Sequence, residues 1–228
     1  MYEFTNKLFE EKILNNEKKC NWKEYNLSEI SKIINGYSYK GKELVDKSDI
    51  GMMTIKNFQK TGGFKLDGFK DIIPAKCKED QYVNPFEIII ACTDLTQNAD
   101  IIGNAIMLLN SSNYKKIIIS MDLVKLIPTT TFIDNYILYS IVNSKEFKKF
   151  SLEYISGTTV LHLNKNCFNE YKIRLPEQNI LKELSKTIEF NYKKIAQMIE
   201  ENKKLSELRD TLLPKLMNGE IDLDNIEI

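Results

Sequence analysis

The residue types that most often carry catalysis are scarce in this chain and far apart. His162 is the only histidine, so a histidine-based triad or a multi-histidine metal site within one chain is not indicated. No CxxC pair occurs, and wide gaps separate the four cysteines, Cys20, Cys77, Cys92 and Cys167. This spacing argues against a zinc site or a disulfide framework and predicts a reduced, cytoplasmic protein.

Methyl transfer to a base and metal-dependent DNA cleavage are not indicated either. Amino-methylating enzymes hold a flipped base with an Asn/Asp-Pro-Pro-aromatic loop, and the nearest match, Asn84-Pro85-Phe86, lacks the second proline. No glycine-rich cofactor loop opens a strand–helix unit. The acids Asp71, Glu79 and Glu87 are scattered, and we interpret them as surface and strand-edge charges. We therefore predict no catalytic residue, no metal site and no cofactor in this chain.

One stretch carries the groups that a DNA-binding loop needs. Lys56, Lys60 and Lys65 lie close together in the sequence and are interleaved with Asn57 and Gln59. Flexible amines suit phosphates, and side-chain amides suit the adenine edge in the major groove. The alternative interpretation is a solvated loop that contacts no DNA.

Three further segments offer amine, hydroxyl or amide groups between predicted elements. They add the candidate DNA-binding residues Tyr37, Lys40 and Lys42; Thr93, Thr96, Gln97 and Asn98; and Gly157, Thr158 and Thr159. A glycine permits close backbone approach, and hydroxyls can bond phosphates. Because Arg174 is the first arginine, the bidentate arginine–guanine contact is not open to the chain before it. Lysine, amide and hydroxyl groups would have to read the sequence.

The composition is globular, and the patterns predict an α+β fold. Hydrophobic residues make up 43% and charged residues 28%, and 32 basic side chains balance 32 acidic ones, so no overall positive field indicates a nucleic-acid partner. No apolar run approaches the roughly 18 residues of a membrane span. The periodicities predict helices over 26–36, 131–143 and 144–152, and strands over 52–55, 87–92, 101–109, 116–127, 156–163 and 171–175.

From residue 176 to about 217 the pattern predicts one long helix. Its stripe is predicted to contact a partner helix, with Asn202 fixing the register, through Leu181, Leu184, Ile188, Tyr192, Ile195, Ile199, Asn202, Leu205, Leu208 and Leu212. Packing onto the chain's own globule is the alternative. We expect a lead-in segment at 1–22, a mixed recognition domain at 23–175, and a helical arm with a short tail at 176–228.

Four segments together resemble one protein family. GTTVLHLNKNCFNEYKIRLPEQNILKEL (157–184) is similar to the end of a target-recognition domain that runs into a conserved helix. NKKLSELRDTLLPKLMNGEIDL (202–223) is similar to the far end of that helix. VNPFEIIIACTDLTQNADIIGNAIML (83–108) resembles the domain's central strand pair, and LSEISKIINGYSYK (27–40) resembles its opening. The family is the DNA-specificity (S) subunit of type I restriction–modification systems.

Such subunits carry two recognition domains and two conserved helical regions, whereas this chain has one of each. The resemblance implies a half-length, non-catalytic subunit that binds half of a bipartite site in double-stranded DNA. Its helix would pair with a second copy of the chain or with another half-subunit. Separate methyltransferase (M) and restriction (R) subunits would carry S-adenosylmethionine and ATP. The alternatives are a portion of a fused type II restriction–methylation enzyme and a coiled-coil interaction protein without DNA specificity.

Overall fold

A central antiparallel sheet lies between a layer of helices and a smaller sheet, and a long helix follows at the C-terminal side. The structure, a computed structural model, describes residues 2–16, 22–60, 62–96, 98–110 and 114–220. The predicted α+β class with a long C-terminal helix is confirmed.

The central sheet has the spatial order β2-β9-β5-β7, with every neighbour antiparallel. Its strands are β2 (Ser31–Asn35), β5 (Ile88–Ala91), β7 (Ala105–Met107) and β9 (Leu123–Pro128). Ile88 and Ile90 face the helices, whereas Ile89 faces the smaller sheet. Both faces of β5 are therefore buried, which explains its unbroken apolar sequence.

The remaining strands form three small sheets. In the smaller sheet, β3 (Ile50–Met53) lies between antiparallel β4 (Lys70–Asp71) and parallel β8 (Lys116–Ile119). The next has the order β10-β11-β6, with β10 (Ile155–Ser156), β11 (Leu161–Leu163) and β6 (Thr93–Asp94). The last pairs β1 (Lys23–Asn26) with β12 (Lys172–Leu175).

The helices of the described residues cover one face of the central sheet. They are α1 (Tyr2–Phe9), continued by a π-helical turn (Glu10–Leu14), α2 (Leu27–Ile30), α3 (Asn135–Val142), α4 (Lys145–Leu152), α5 (Asn166–Glu170) and α6 (Gln178–Met217). Asp134 and Ser144 begin α3 and α4, because their side-chain oxygens accept hydrogen bonds from first-turn N–H groups. Phe9 and Ile13 are buried in the same core as side chains of α3 and α6, and α1 packs against α6.

Four predictions of secondary structure are wrong. The strand predicted over 156–163 is two strands, β10 and β11, with the turn 157–160 between them, and the strand predicted over 101–109 forms a strand only at Ala105–Met107. The helix predicted over 26–36 ends at Ile30, and Ile33 and Ile34 continue as β2, where these β-branched residues pair with β9. The strand predicted over 116–127 is two strands, β8 and β9, with a turn between them. The turn lets the chain pass from the smaller sheet to the central one.

The first half of α6 belongs to the core of the globule. Its apolar side chains pack with those of α3, and the hydroxyl of Ser185 bonds the carboxylate of Asp134. The prediction of partner-helix contacts is therefore wrong for five residues, because they are buried within the chain itself: Leu181, Leu184, Ile188, Tyr192 and Ile195. Ile199 is partly buried against the same core.

The second half of α6 extends beyond the globule, and most of its apolar side chains are exposed. Leu208 follows Ile199 by nine residues, and at 3.6 residues per turn the two face about 180° apart. The stripe therefore swings away from the globule through Asn202 and Leu205, and Leu212 lies near its outer side. Leu205 is 56% exposed and Leu208 is 53% exposed. We call residues 200–217 the distal arm.

Candidate nucleic-acid interface

The strand registers place several loops at one end of the two main sheets. Asn35 pairs with Val124, and Ala91 pairs with Leu123, so β2 and β5 end where β9 begins. Ser120 donates its backbone N–H to Met53 O, which brings the ends of β3 and β8 to the same edge. We call this edge the loop end, and its members are the described residues of 36–42, 54–65, 95–103, 120–122 and 157–160.

Three of the four predicted segments are neighbours at the loop end. Strand β11 pairs with β6 in the register Leu161 with Asp94, so the hairpin turn 157–160 lies beside the loop 95–103. Lys60 Nζ lies 3.1 Å from Asp100 Oδ2, which joins the lysine-bearing segment to the same loop. The fourth segment begins at Tyr37, which bridges Ser120. The fold thus brings to one surface candidate DNA-binding segments that lie more than a hundred residues apart in the sequence.

Asp94 holds the loop 95–103 from below. Its fully buried carboxylate accepts hydrogen bonds from Thr96 N (2.8 Å), Thr96 Oγ1 (2.8 Å), Ile101 N (2.6 Å) and Ile102 N (3.1 Å). Burial alone raises the pKa of Asp94, but the bonds from Thr96, Ile101 and Ile102 outweigh it and hold the pKa below its ordinary value. Asp94 is therefore ionised at neutral pH and acts as the loop's internal anchor.

Lys148 of α4 holds the same loop from the side. Its ammonium donates to Ala99 O at 3.1 Å and also to Ile102 O. Burial lowers the pKa of Lys148 below its ordinary value, although the nearby carboxylates of Asp94 and Asp100 act to raise it. Ala99 has a left-handed φ of 54°, a conformation that this pair of anchors stabilises. Before any ligand arrives, the described backbone of the loop is consequently held at Thr96, Ala99, Ile101 and Ile102.

Most of the predicted DNA-binding residues are accessible at the loop end. The exposed ones are Lys40, Lys42, Lys56, Lys60, Lys65, Asn98, Gly157, Thr158 and Thr159. Gly157 has φ of 107°, and a Cβ at this position would clash with the carbonyl oxygen of Val160. Gln59 and Thr96 are half-buried, and each uses its side chain within its own loop. Gln97 lies outside the described residues.

Three predicted contact residues are buried, and the structure contradicts their assignment to DNA. Tyr37 packs in the core and donates its hydroxyl proton to Glu43 at 3.0 Å. The Asn57 amide accepts from Thr54 N at 2.9 Å and donates to Lys65 O at 3.0 Å, so it shapes the lysine-bearing segment. Thr93 is buried in β6, which pairs with β11. In each case an inward-facing polar group was indistinguishable by residue type from an outward-facing one.

Two residues of the loop end were missed by the sequence analysis. Leu95 and Met121 are large apolar side chains that are mostly exposed, at 66% and 57%. Leu95 immediately follows the anchor Asp94, and Met121 lies in the turn between β8 and β9. In the sequence, Leu95 stands out only as a leucine among the polar residues of Thr93–Asp100. Criteria based on amide, hydroxyl and amine groups do not indicate it.

The described residues offer little catalytic chemistry. They contain no group of three or more His, Cys, Asp or Glu side chains placed to hold a metal ion. Burial raises the pKa of the Cys92 and Cys167 thiols to about 12, so both are protonated at neutral pH. Among the helices in the part of the chain that the structure describes, none combines the length and apolarity of a membrane span.

The chain is similar to known proteins in its fold and in one stretch of its sequence. No family model matches the chain. The type I restriction enzyme HindI specificity subunit of Haemophilus influenzae is 35% identical over 85 residues, which are 37% of this chain and 18% of that protein. The type I restriction–modification S subunit from M. genitalium aligns with 94% of this chain at a TM-score of 0.57 and 19% identity. The HsdS subunit from Thermoanaerobacter tengcongensis aligns with 96% at 0.54 and 14%. The chain has the fold of a type I specificity subunit.

The likeness to type I specificity subunits covers only part of each known protein. The chain spans about half the length of the two solved structures, 52% and 51% respectively. The predicted resemblance to type I specificity subunits is confirmed by these findings. The fold likeness and the local sequence likeness are both to type I specificity subunits.

Proposed function

We propose that this chain is a sequence-specific DNA recognition subunit that directs a separate methyltransferase subunit to half of a bipartite target. The observation that supports the proposal best is the loop end. There, the segment with the exposed lysines Lys56, Lys60 and Lys65 meets, through the Lys60–Asp100 ion pair, a loop whose described backbone is held by Asp94 and Lys148. Such a surface suits a duplex, because lysines can contact phosphates while fixed loops present side chains to base edges.

The distal arm is the proposed pairing surface. One recognition domain can specify only one half-site, so a bipartite target requires two. The distal arm exposes the apolar Leu205 and Leu208, and Asn202 lies among them as a polar residue that can fix register. A second copy of this chain would cover these leucines and place two loop ends on a two-fold symmetric target. Another half-subunit in that place would give an asymmetric target.

The chemistry of the proposed complex lies on other subunits. The described residues supply no metal cluster, and their buried thiols are protonated. We propose that methyltransferase and restriction subunits bind S-adenosylmethionine and ATP, and that this chain contributes recognition and assembly in the cytoplasm.

Footprinting of the chain together with its methyltransferase subunit tests the proposal. We expect protection of two short half-sites separated by a fixed gap, in a preferred sequence. A coiled-coil interaction protein would give no sequence-selective protection. A portion of a fused enzyme would fail to bind a separate methyltransferase subunit. Either result would contradict the proposed function.

Two aspartate substitutions in α6 separate pairing from folding. Leu205→Asp places a charge on the exposed distal arm, so we expect a monomer in sedimentation that stays folded and melts at a temperature independent of protein concentration. Ile195→Asp is the matched control, because Ile195 is only 6% exposed and packs in the core, so an unpaired charge there should lower the melting temperature itself. A monomeric wild type at micromolar concentration would refute pairing. A Leu205→Asp dimer would place the interface outside the distal arm.

A further inference from the structure

The loop 95–103 uses most of its described polar groups internally. Asp94 accepts from the backbone of Thr96, Ile101 and Ile102, and the hydroxyl of Thr96 donates to the same carboxylate. Lys148 satisfies two of the loop's carbonyl oxygens, and the Asp100 carboxylate pairs with Lys60. The described side chains that remain outward on this loop are Leu95 and Asn98.

Leu95 lies at the start of the loop, directly after β6, where an exposed apolar side chain can contact DNA. Its side chain is 66% exposed at the surface that carries the lysines. The major groove offers one prominent apolar group, the C5-methyl of thymine, and apolar side chains contact it. An asparagine amide can bond adenine N6 and N7 in the same groove. Leucine and asparagine together therefore match the two edges of an A·T pair.

We propose that Leu95 is a specificity-determining residue that contacts the C5-methyl group of a thymine in the target half-site. Asn98 reads an adenine edge of the same or the adjacent pair. The inference rests on the proposed function and names what one loop of that surface recognises. Because Asp94 already holds the backbone N–H of Thr96, the residue next to Leu95, little ordering is needed at Leu95, which preserves the binding energy of a small apolar contact.

Replacement of thymine by uracil tests this contact, because uracil lacks only the methyl group. Duplexes selected from a randomised pool by the chain in complex with its methyltransferase subunit would define the target. Each thymine is then replaced by uracil, one at a time, and the dissociation constant is measured. At one position we expect uracil to weaken wild-type binding about fourfold, the equivalent of one buried methyl-sized group. Leu95→Ala should bind the thymine and uracil duplexes equally there.

Ile180→Ala is the matched control. Ile180 is 49% exposed in the first turn of α6, close to Ser185, which bonds Asp134 beyond the far end of β9. It therefore lies away from the loop end, and its truncation should retain the wild-type preference for thymine. Because Leu95 and Ile180 are both exposed, both variants should melt like wild type.

The outcomes separate this inference from the proposed function. Wild-type binding that is equal for all duplexes would contradict the proposed function. A selective wild type that is insensitive to every uracil replacement would overturn the role of Leu95 alone. The role of Leu95 would also be overturned if uracil weakened the binding of Leu95→Ala as much as it weakens wild-type binding. This holds whether or not the variant binds every duplex more weakly than wild type. Loss of the penalty in Ile180→Ala would also overturn the role.

Discussion

The lysines of the loop end differ in whether an acidic side chain lies beside them, and this difference decides whether a substitution weakens or strengthens DNA binding. Lys56 and Lys65 are exposed, whereas the Lys60 ammonium lies 3.1 Å from the Asp100 carboxylate. A DNA phosphate at Lys60 must compete with that carboxylate. We therefore predict opposite effects for two substitutions: Lys56→Ala with Lys65→Ala weakens DNA binding, and Asp100→Asn strengthens it.

The magnitudes follow from counterion release and from the exposure of the pair. Each lost phosphate contact lowers the slope of log affinity against log salt by about 0.9, so the double variant should lose about 1.8. The Lys60 and Asp100 side chains are 66% and 25% exposed, so their ion pair is partly screened. Exposed pairs contribute roughly 0.2–1 kcal/mol, so release of Lys60 should raise affinity by about 1.4- to 5-fold and steepen the slope by up to about 0.9.

Fluorescence anisotropy with a labelled target duplex, between about 50 and 200 mM KCl, measures both quantities. Lys115→Ala is the matched control, because Lys115 is an exposed lysine in an ion pair with Asp49. It precedes β8, at the sheet edge opposite the loop end, so its loss should leave the slope unchanged. An unchanged slope in the double variant would remove this segment from the DNA surface. Weaker binding by Asp100→Asn would refute the competition between carboxylate and phosphate.

Three further predictions concern the anchors and the absence of catalysis. Asp94→Asn should lower the free energy of unfolding in urea by about 1.5–3 kcal/mol, because charge-assisted hydrogen bonds are lost. Since the pKa of Asp94 is lowered, its contribution is present above the ordinary value of 3.8 and is lost as pH falls below it, so the difference from wild type should vanish in acid. Gly157→Ala should lower the melting temperature, since a Cβ meets Val160 O at a left-handed φ, whereas Thr159→Ala in the same turn should not. The rigorously purified chain should transfer no labelled methyl group from S-adenosylmethionine to DNA, and incorporation would contradict the non-catalytic assignment.

Local sequence patterns predicted the central strand β5 and the long helix α6 well. Ile88–Ala91 is apolar at every position because the sheet is covered on both faces, and the recurrence of apolar residues from Leu181 onward reflects real helical packing. The patterns were wrong at Ile33 and Ile34. Their spacing fits a helix, but these residues form strand β2 because they pair with β9. The swing of the apolar stripe beyond Ile199 was readable from its steps of three residues, yet what covers the first half depends on tertiary packing.

The candidate site was predictable as a set of loops but not as a surface. Residue type identified Lys56, Lys60 and Asn98, which are exposed, and equally Asn57, which is buried. Whether an amide faces outward depends on hydrogen bonds to residues such as Thr54 and Lys65, which no spacing rule specifies. The proximity of the hairpin turn 157–160 to the loop 95–103 follows from the pairing of β11 with β6, a contact remote in sequence.

The division of α6 into a packed half and a protruding half has a consequence for amide hydrogen exchange. Amides of the first half can exchange only when the core opens, so their protection should report the global stability of the fold. Glu200 still accepts a hydrogen bond from Asn110 of the globule, but the rest of the distal arm forms little more than an isolated helix, which is marginally stable in water. The amides beyond its first turn should therefore exchange rapidly in the free chain. A partner that covers Leu205 and Leu208 would suppress this fraying. The amide exchange rates of α6 would thus report the stability of the fold in its first half and the binding of a partner in its distal arm.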